Sequence, residues 1–306
     1  MSPKRRLFTS VAATLSLAAM TWTALGTVSP AAGQEPAAEI HEVRRAKPRP
    51  PTFDEPIFIL VMGGDARTGN PEKTRMDAIQ IVGIDPVAGR ASILGIPRDS
   101  WVEIPGFGSN KINAAGVFGG PDLMVETVEK RSGCRFDYYA LTNFAGFRAL
   151  IDDLGGVRMD IKQRLFESTG SRIDLQPGRQ KLNGKQALAF TRLRKTSARP
   201  LGDLSRSAAQ GELMAALLGE VRRDFTGSPG TLLRALASIH KHLALNISLA
   251  DTMRLGQAVL RIEQKKVTTG VVDGAIDEVS GISIVRITDR GSAQFVDICS
   301  DGLLGS

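Results

Sequence analysis

The sequence predicts an α/β fold in which a mixed central sheet is sandwiched between helices within a single domain. Three observations carry this. Short continuous apolar runs at 57–62, 78–84 and 91–96 stop at Gly63-Gly64, Asp85-Pro86 and Pro97, the pattern of strands buried on both faces. Capped helical segments follow them, and strand-like runs return at 267–272 and 282–287. Strands and helices therefore alternate, with no internal repeat and no Gly/Ser linker to split the body.

Taken in order, the chain opens with Lys4, Arg5 and Arg6 ahead of an uncharged stretch from Leu7 to about Val28. That length suits one membrane-spanning helix with its positive flank in the cytoplasm. Ser29-Pro30-Ala31 could equally satisfy a signal peptidase, so residues 1–28 are either a signal anchor or a cleaved signal peptide. Both place the remainder outside the cytoplasm, anchored to the plasma membrane or secreted after cleavage. Residues 29–55, rich in Pro, Ala and charge, read as an extended linker, and 56–300 as the folded domain. Within it, 121–131 reads as a helix with Pro121 in its first turn. Asn143 caps a helix that Gly155-Gly156 stops. Asn183 and Gln186 form a capping box opening a helix through 189. A long helix runs from Asp203 to about Arg223, and Ser248 with Asp251 starts another.

The formal charge of +7 and a pI near 9.6 favour an anionic partner: nucleic acid, a membrane or a phosphorylated substrate. Export argues against nucleic acid. Cys134 and Cys299 either form one disulfide tying the C-terminus to the body or remain separate buried thiols, and neither has zinc-ligand companions. His41 in the linker, and His240 and His242 in a late helix, lie outside the motif-rich segment, so a Ser-His-Asp or Cys-His mechanism has little support. Residues 64–69 have the glycine spacing of a phosphate loop, but Asn70 stands where lysine is required.

What the sequence does hold is a dense set of Asp and Arg at strand ends. Asp65 and Arg67 follow the first strand, and Arg75 and Asp77 precede the second. Pairing those strands could bring Asp65 and Asp77 together around a hard cation such as Mg2+, with Mn2+ the obvious substitute. Each aspartate alone also reads as a turn or cap residue. Arg98 and Asp99 close the third strand, placing charge at the sheet edge where α/β folds bind ligands, and Lys111 and Asn113 open a loop able to reach it. A third cluster holds Arg192 and Arg194. Asp203, Arg206 and Gln210 follow at i, i+3 and i+7, one face of a helix that could also be merely its wet side. These clusters prefer arginine, whose planar fork grips phosphate oxygens bidentately.

In order, Gly64-Asp65-Ala66-Arg67, Arg75-Met76-Asp77, Ile96-Pro97-Arg98-Asp99, Lys111-Ile112-Asn113, Asn143-Phe144, Asp153 through Val157, Leu182 through Ala189, Arg192-Leu193-Arg194 and Gly202-Asp203 resemble the LytR-CpsA-Psr family of bacterial cell-envelope proteins. The resemblance implies a phosphotransferase that moves a glycopolymer from a polyprenyl-pyrophosphate carrier to a peptidoglycan hydroxyl. It implies metal ligation by Asp65 and Asp77, and a pyrophosphate site lined by Arg67, Arg75, Arg98, Arg192, Arg194 and Arg206. It also implies an apolar pocket for the lipid. This chain departs from the family pattern at Met76, at Gly95 where serine is frequent, and at Ala209 where a second arginine is usual, which removes one possible phosphate contact.

The chemistry is coherent on its own terms. A pyrophosphate ester has a good leaving group once its charge is neutralised, so attack by a hydroxyl needs positioning and cations. Asp99 and Asp203 are both candidates to accept the hydroxyl proton, and a metal-bound group could suffice. Two rival readings remain: a pyrophosphatase in which water replaces the sugar, and a non-catalytic lipid-phosphate binder acting as an envelope regulator.

Overall fold

The computed structural model describes residues 54–65, 73–193, 202–225 and 229–305. The N-terminal segment expected to be an anchor, most of the linker, Arg67 and Arg194 lie outside these residues. Among the described residues no helix is long and apolar enough to cross a membrane. The first half of the chain gives β1 (Ile57–Gly64), β2 (Met76–Asp85), β3 (Arg90–Gly95), β4 (Trp101–Ile104), β5 (Gly108–Lys111), α1 (Ala115–Ser132), β6 (Tyr138–Asn143) and α2 (Phe144–Asp153). It continues through β7 (Val157–Ile161), β8 (Leu165–Glu167), β9 (Ile173–Leu175), β10 (Gly178–Leu182), α3 (Gly184–Arg192), α4 (Asp203–Phe225) and α5 (Pro229–His242). The last elements are β11 (Ala244–Leu245), α6 (Leu249–Arg261), β12 (Val267–Val271), β13 (Gly274–Val279), β14 (Ile282–Ile287) and α7 (Asp289–Asp301).

Six strands form the central sheet in the order β11-β6-β1-β2-β3-β12. It is mixed: β1 runs parallel to β6 and β3 parallel to β12, while β2 lies antiparallel between β1 and β3. The three apolar runs are its adjacent central strands, which is why they lack polar alternation. On one face Leu60, Met62, Ile81 and Leu94 pack against Met124 and Val128 of α1 and Phe295 and Ile298 of α7. On the other, Val82, Ile84 and Ile93 meet Met214 and Leu218 of α4 and Leu255 and Val259 of α6. A further apolar cluster joins α2, α3, α4 and the β7–β10 hairpin through Ile151, Val157, Leu182, Phe190 and Leu213. Each such buried aliphatic side chain contributes roughly 1.5–3 kcal/mol, so this layering is where the sandwich draws its stability.

The local signals form as expected. Asn143 Oδ1 accepts from the Gly146 amide at 2.7 Å, and the capping box is complete, with Asn183 Oδ1 accepting from Gln186 N and Gln186 Oε1 accepting from Asn183 N. Ser248 caps α6 through the Asp251 amide at 3.0 Å. Two details differ. The first helix starts six residues before Pro121 and breaks at Gly120 (φ 69°, ψ −156°), a backbone that suits glycine, so Pro121 opens its second segment. The late helix expected around His240 and His242 is α5, whose start the sequence reading did not give, and α7 went unread. Cys134 and Cys299 form a disulfide with Cα atoms 4.9 Å apart, fastening α7 to the end of α1.

Candidate active site

Because β1, β3, β6 and β12 share a direction, their carboxyl ends open at one edge of the sheet. Asp65 follows β1 there, Arg98 and Asp99 follow β3, and Asn143 ends β6. Antiparallel β2 enters at the same edge. Its pairing with β1 slips at that point: Gly63 faces Ala78 and Gly64 faces Met76, leaving Asp77 as the extra residue of a bulge. A bulge re-aims a side chain out of strand alternation, and here that residue is an aspartate.

Arg98 organises the cluster. Its Nη1 donates to Asp77 Oδ1 at 2.6 Å, and its Nε lies 3.7 Å from Asp99 Oδ1 and 3.9 Å from Asp203 Oδ2. That Nε is buried and reaches no hydrogen-bond partner among the described residues. Arg206 Nη2 donates to Asp203 Oδ1 at 2.6 Å, and Lys111 Nζ lies 3.5 Å from Asp99 Oδ1. The Asp99 and Asp203 carboxyls are hydrogen-bonded to each other. Burial, then the bond to Asp203 and its charge, hold the Asp99 carboxyl above the ordinary range, against the pull of Arg98 and Lys111. Burial alone would lower the Arg98 guanidinium, but the bond to Asp77 and the charges of Asp77, Asp99 and Asp203 outweigh it and raise it.

The stripe on α4 faces inward. Arg206 is 4% exposed and Gln210 8%, so this is not the wet side of the helix. Gln210 Nε2 donates to the Asp77 carbonyl at 3.1 Å, and its Oε1 accepts from Gln80 Nε2 at 3.2 Å. Gln80 also donates to the Ser207 carbonyl at 3.3 Å, so one buried amide clamps α4 to β2. Sequence reasoning missed Gln80, although a lone amide inside an apolar strand was a visible signal. The same amide explains Gly95: a Cβ there would stand 2.9 Å from Gln80 Nε2 and 3.2 Å from Ser207 Cβ. Ala209 packs into the apolar cluster beneath α3 and α4 and is fully buried.

Arg192 ends α3 with its guanidinium 4.6 Å from the Phe144 ring centroid, a stacking arrangement that orients it. Arg75 is exposed, just ahead of β2, and Thr74 Oγ1 donates to the Asp65 carbonyl at 3.1 Å. Asp77, Arg192, Arg206 and Gln210 also line one cavity of about 340 Å3, whose other walls include Val61, Phe144, Phe147, Leu188, Leu213 and Met214. This lies within the range of ligand pockets, about 300–1,000 Å3. An apolar chamber and a charged cluster thus share a wall, an arrangement matched to a ligand with a greasy tail and an anionic head.

Among the described residues no group of three His, Cys, Asp or Glu side chains is arranged to hold a metal. Asp65 and Asp77 fit a different kind of site. They are hard oxygen donors flanking the register pair Gly64–Met76, and Mg2+ commonly takes one or two carboxylates and completes its shell with water and phosphate oxygens.

The model of the LytR_cpsA_psr family matches residues 27–297. Over 180 residues (59% of the chain) it is 39% identical to the probable cell wall biosynthesis protein LcpB of Corynebacterium glutamicum, covering 40% of that protein. Over 165 residues (54% of the chain) it is 39% identical to the polyisoprenyl-teichoic acid–peptidoglycan teichoic acid transferase TagU of Bacillus mycoides, covering 52% of it. The chain thus spans about half the length of these curated relatives. The crystal structure of B. subtilis TagV superposes with a TM-score of 0.69 at 28% identity, over 79% of this chain and 94% of that one.

Proposed function

Since this chain belongs to the LytR_cpsA_psr family, we propose that it is a phosphotransferase working on the outer face of the plasma membrane. It moves a glycopolymer from a polyprenyl-pyrophosphate carrier to a hydroxyl of peptidoglycan. The observation that carries the reading is the apolar cavity sharing Asp77, Arg192, Arg206 and Gln210 with the charged cluster. The transfer named for TagU, from a polyisoprenyl carrier to peptidoglycan, supports the choice of donor and acceptor.

In this reading the prenyl chain enters the cavity and the diphosphate lies against Arg98, Arg192 and Arg206, with Arg75 at the rim. The buried Arg98 Nε, which reaches no hydrogen-bond partner among the described residues, donates to a phosphate oxygen. Asp65 and Asp77 hold Mg2+, or Mn2+ in its place, which when bound neutralises phosphate charge. The acceptor hydroxyl attacks the phosphorus that carries the glycan. A new O–P bond forms, the bond to the bridging oxygen breaks, and prenyl phosphate leaves. The hydroxyl proton passes to the Asp99–Asp203 pair, where the elevated affinity of Asp99 for a proton makes it a stronger base than an ordinary aspartate. Lys111, beside Asp99, holds that pair in place.

The test is incubation of the purified protein with a glycan-loaded prenyl pyrophosphate, Mg2+ and peptidoglycan. Metal-dependent glycan capture on peptidoglycan, abolished in Asp77→Ala, is expected. Phosphate release without capture makes the protein a pyrophosphatase. Tight donor binding without turnover makes it a regulator, and either outcome overturns the proposal.

A further inference from the structure

The transferase reading requires two substrates, and the cavity accommodates one of them. The second has to approach the charged cluster from elsewhere, because in-line displacement puts attacking and leaving oxygens on opposite sides of phosphorus. The cavity lies on the α4 face of the sheet, while α1 packs on the opposite face. At the start of α1, beside the cluster, the surface carries an exposed aromatic pair. Phe107 and Phe118 stack with ring centroids 4.7 Å apart and planes inclined by 15°. They are 53% and 37% exposed, and Val117 beside them is also exposed. Single exposed apolar residues are ordinary on a soluble surface; here two exposed rings stack on each other instead of standing apart.

Resting on that transferase reading, we infer that Phe107 and Phe118 form a ledge on which pyranose rings of the acceptor glycan stack. Several features connect this ledge to the reaction centre. The β4–β5 hairpin that carries Phe107 ends at Lys111, the residue beside Asp99. The chain after it is pinned to the Arg98 loop: Ile112 N donates to Ser100 O at 2.8 Å, and Asn113 N to Arg98 O at 3.2 Å. Gly116, two residues before Phe118, packs so closely that a Cβ would collide with the Thr74 carbonyl, in the segment leading to Asp77. From Phe107 to Lys111 the strand covers about 13 Å, the reach of a short run of sugar rings.

The chemistry of the ledge suits a sugar. Phe107 is stacked on Phe118 yet still exposed, held at a hairpin tip between Gly106 (φ 77°) and Gly108 (φ 72°). The negative face of an aromatic ring attracts the partly positive axial C–H groups of a pyranose, and the exposed Ser109 offers its hydroxyl to sugar hydroxyls. A neutral aromatic surface has no grip on phosphate, which leaves the diphosphate to the arginines across the cluster.

The direct test measures binding of N-acetylhexosamine oligosaccharides of increasing length to the full chain and to Phe107→Ala/Phe118→Ala, with no donor present. The wild type should bind more tightly as length increases. The double variant should lose at least tenfold, with prenyl-pyrophosphate binding unchanged, and Phe107→Trp should retain affinity. In the transfer assay the same variant should raise KM for the acceptor while kcat at acceptor saturation stays at the wild-type value. Unchanged oligosaccharide binding in the double variant overturns the ledge. So does loss of binding to anionic lipid vesicles without any change toward oligosaccharide, which would make the pair a membrane anchor. A wild type that binds oligosaccharide through these rings yet transfers nothing would leave the ledge standing and sink the transferase reading alone.

Discussion

Replacing Arg98 with alanine is the most informative perturbation of the cluster, because one side chain faces three carboxylates. It donates to Asp77 at 2.6 Å and stands within 4 Å of Asp99 and Asp203. Removing a charged donor aimed at developing phosphate charge costs about 3–4 kcal/mol of transition-state stabilisation. At 1.36 kcal/mol per decade this is about a 10^2–10^3-fold loss in turnover. The fold pays less, since the lost bond to Asp77 is only half-buried, with a cost of about 1–3 kcal/mol. That cost carries a pH signature. Arg98 lowers the proton affinity of Asp99, so without it that carboxyl binds its proton more tightly. The variant should therefore be destabilised most at pH 7 to 8 and recover toward wild type as Asp99 protonates in acid. Donor turnover by prenyl phosphate release in the presence of peptidoglycan, alongside melting curves at pH 5 and pH 7.5, reads both effects. Arg98→Lys, which keeps the charge and loses the fork, should fall between. Activity within about fivefold of wild type in a folded Arg98→Ala protein would falsify the assignment of this cluster as the phosphate site, since it contradicts the magnitude expected of such a donor.

Three further outcomes follow from the packing. Gln210→Ala takes one partner from the Gln80 amide and one from the Asp77 carbonyl, and should lower stability by about 1–3 kcal/mol in denaturant titration; an unchanged midpoint would mean that this part of the clamp between α4 and β2 carries no weight. Reduction of the Cys134–Cys299 bond, which spans 165 residues, should cost about 5 kcal/mol by the chain-entropy model, and the Cys134→Ala/Cys299→Ala protein should melt correspondingly lower. Asp153 accepts from His242, then Ser238, and these bonds hold its carboxyl below the ordinary range. Its contribution is therefore complete above the unfolded value near 3.8 and disappears as pH falls through the lower folded value. Asp153→Asn should destabilise at pH 7 and become neutral at pH 2 to 3; an equal loss at both pH values would rule out the charged form as the source.

Much of this protein was legible locally. The three continuous apolar runs had to be strands covered on both faces. Asn143, Asn183 with Gln186, and Ser248 announced helix starts because caps act within one turn of backbone. The order of the Asp and Arg motifs sufficed to identify the family. The helix α5 carried a readable signal, Pro229 at its first position, that was passed over, whereas the weakly apolar α7 depends on Phe295 and Ile298 packing against α1 and on the disulfide.

Sequence alone determined which residue types stood at the strand ends; it did not determine their partners. Asp77 leaves the strand alternation only because the β1–β2 register slips by one residue, a property of two strands rather than one. Arg206 and Gln210 face the sheet because α4 lies across β2 and β3, where Gln80 fills the space left open by Gly95. Asp99 finds Asp203, and Cys134 finds Cys299, across separations that no local preference spans. Such pairings are set by how layers pack, because proximity between distant side chains is the result of burying the apolar faces of the elements that carry them.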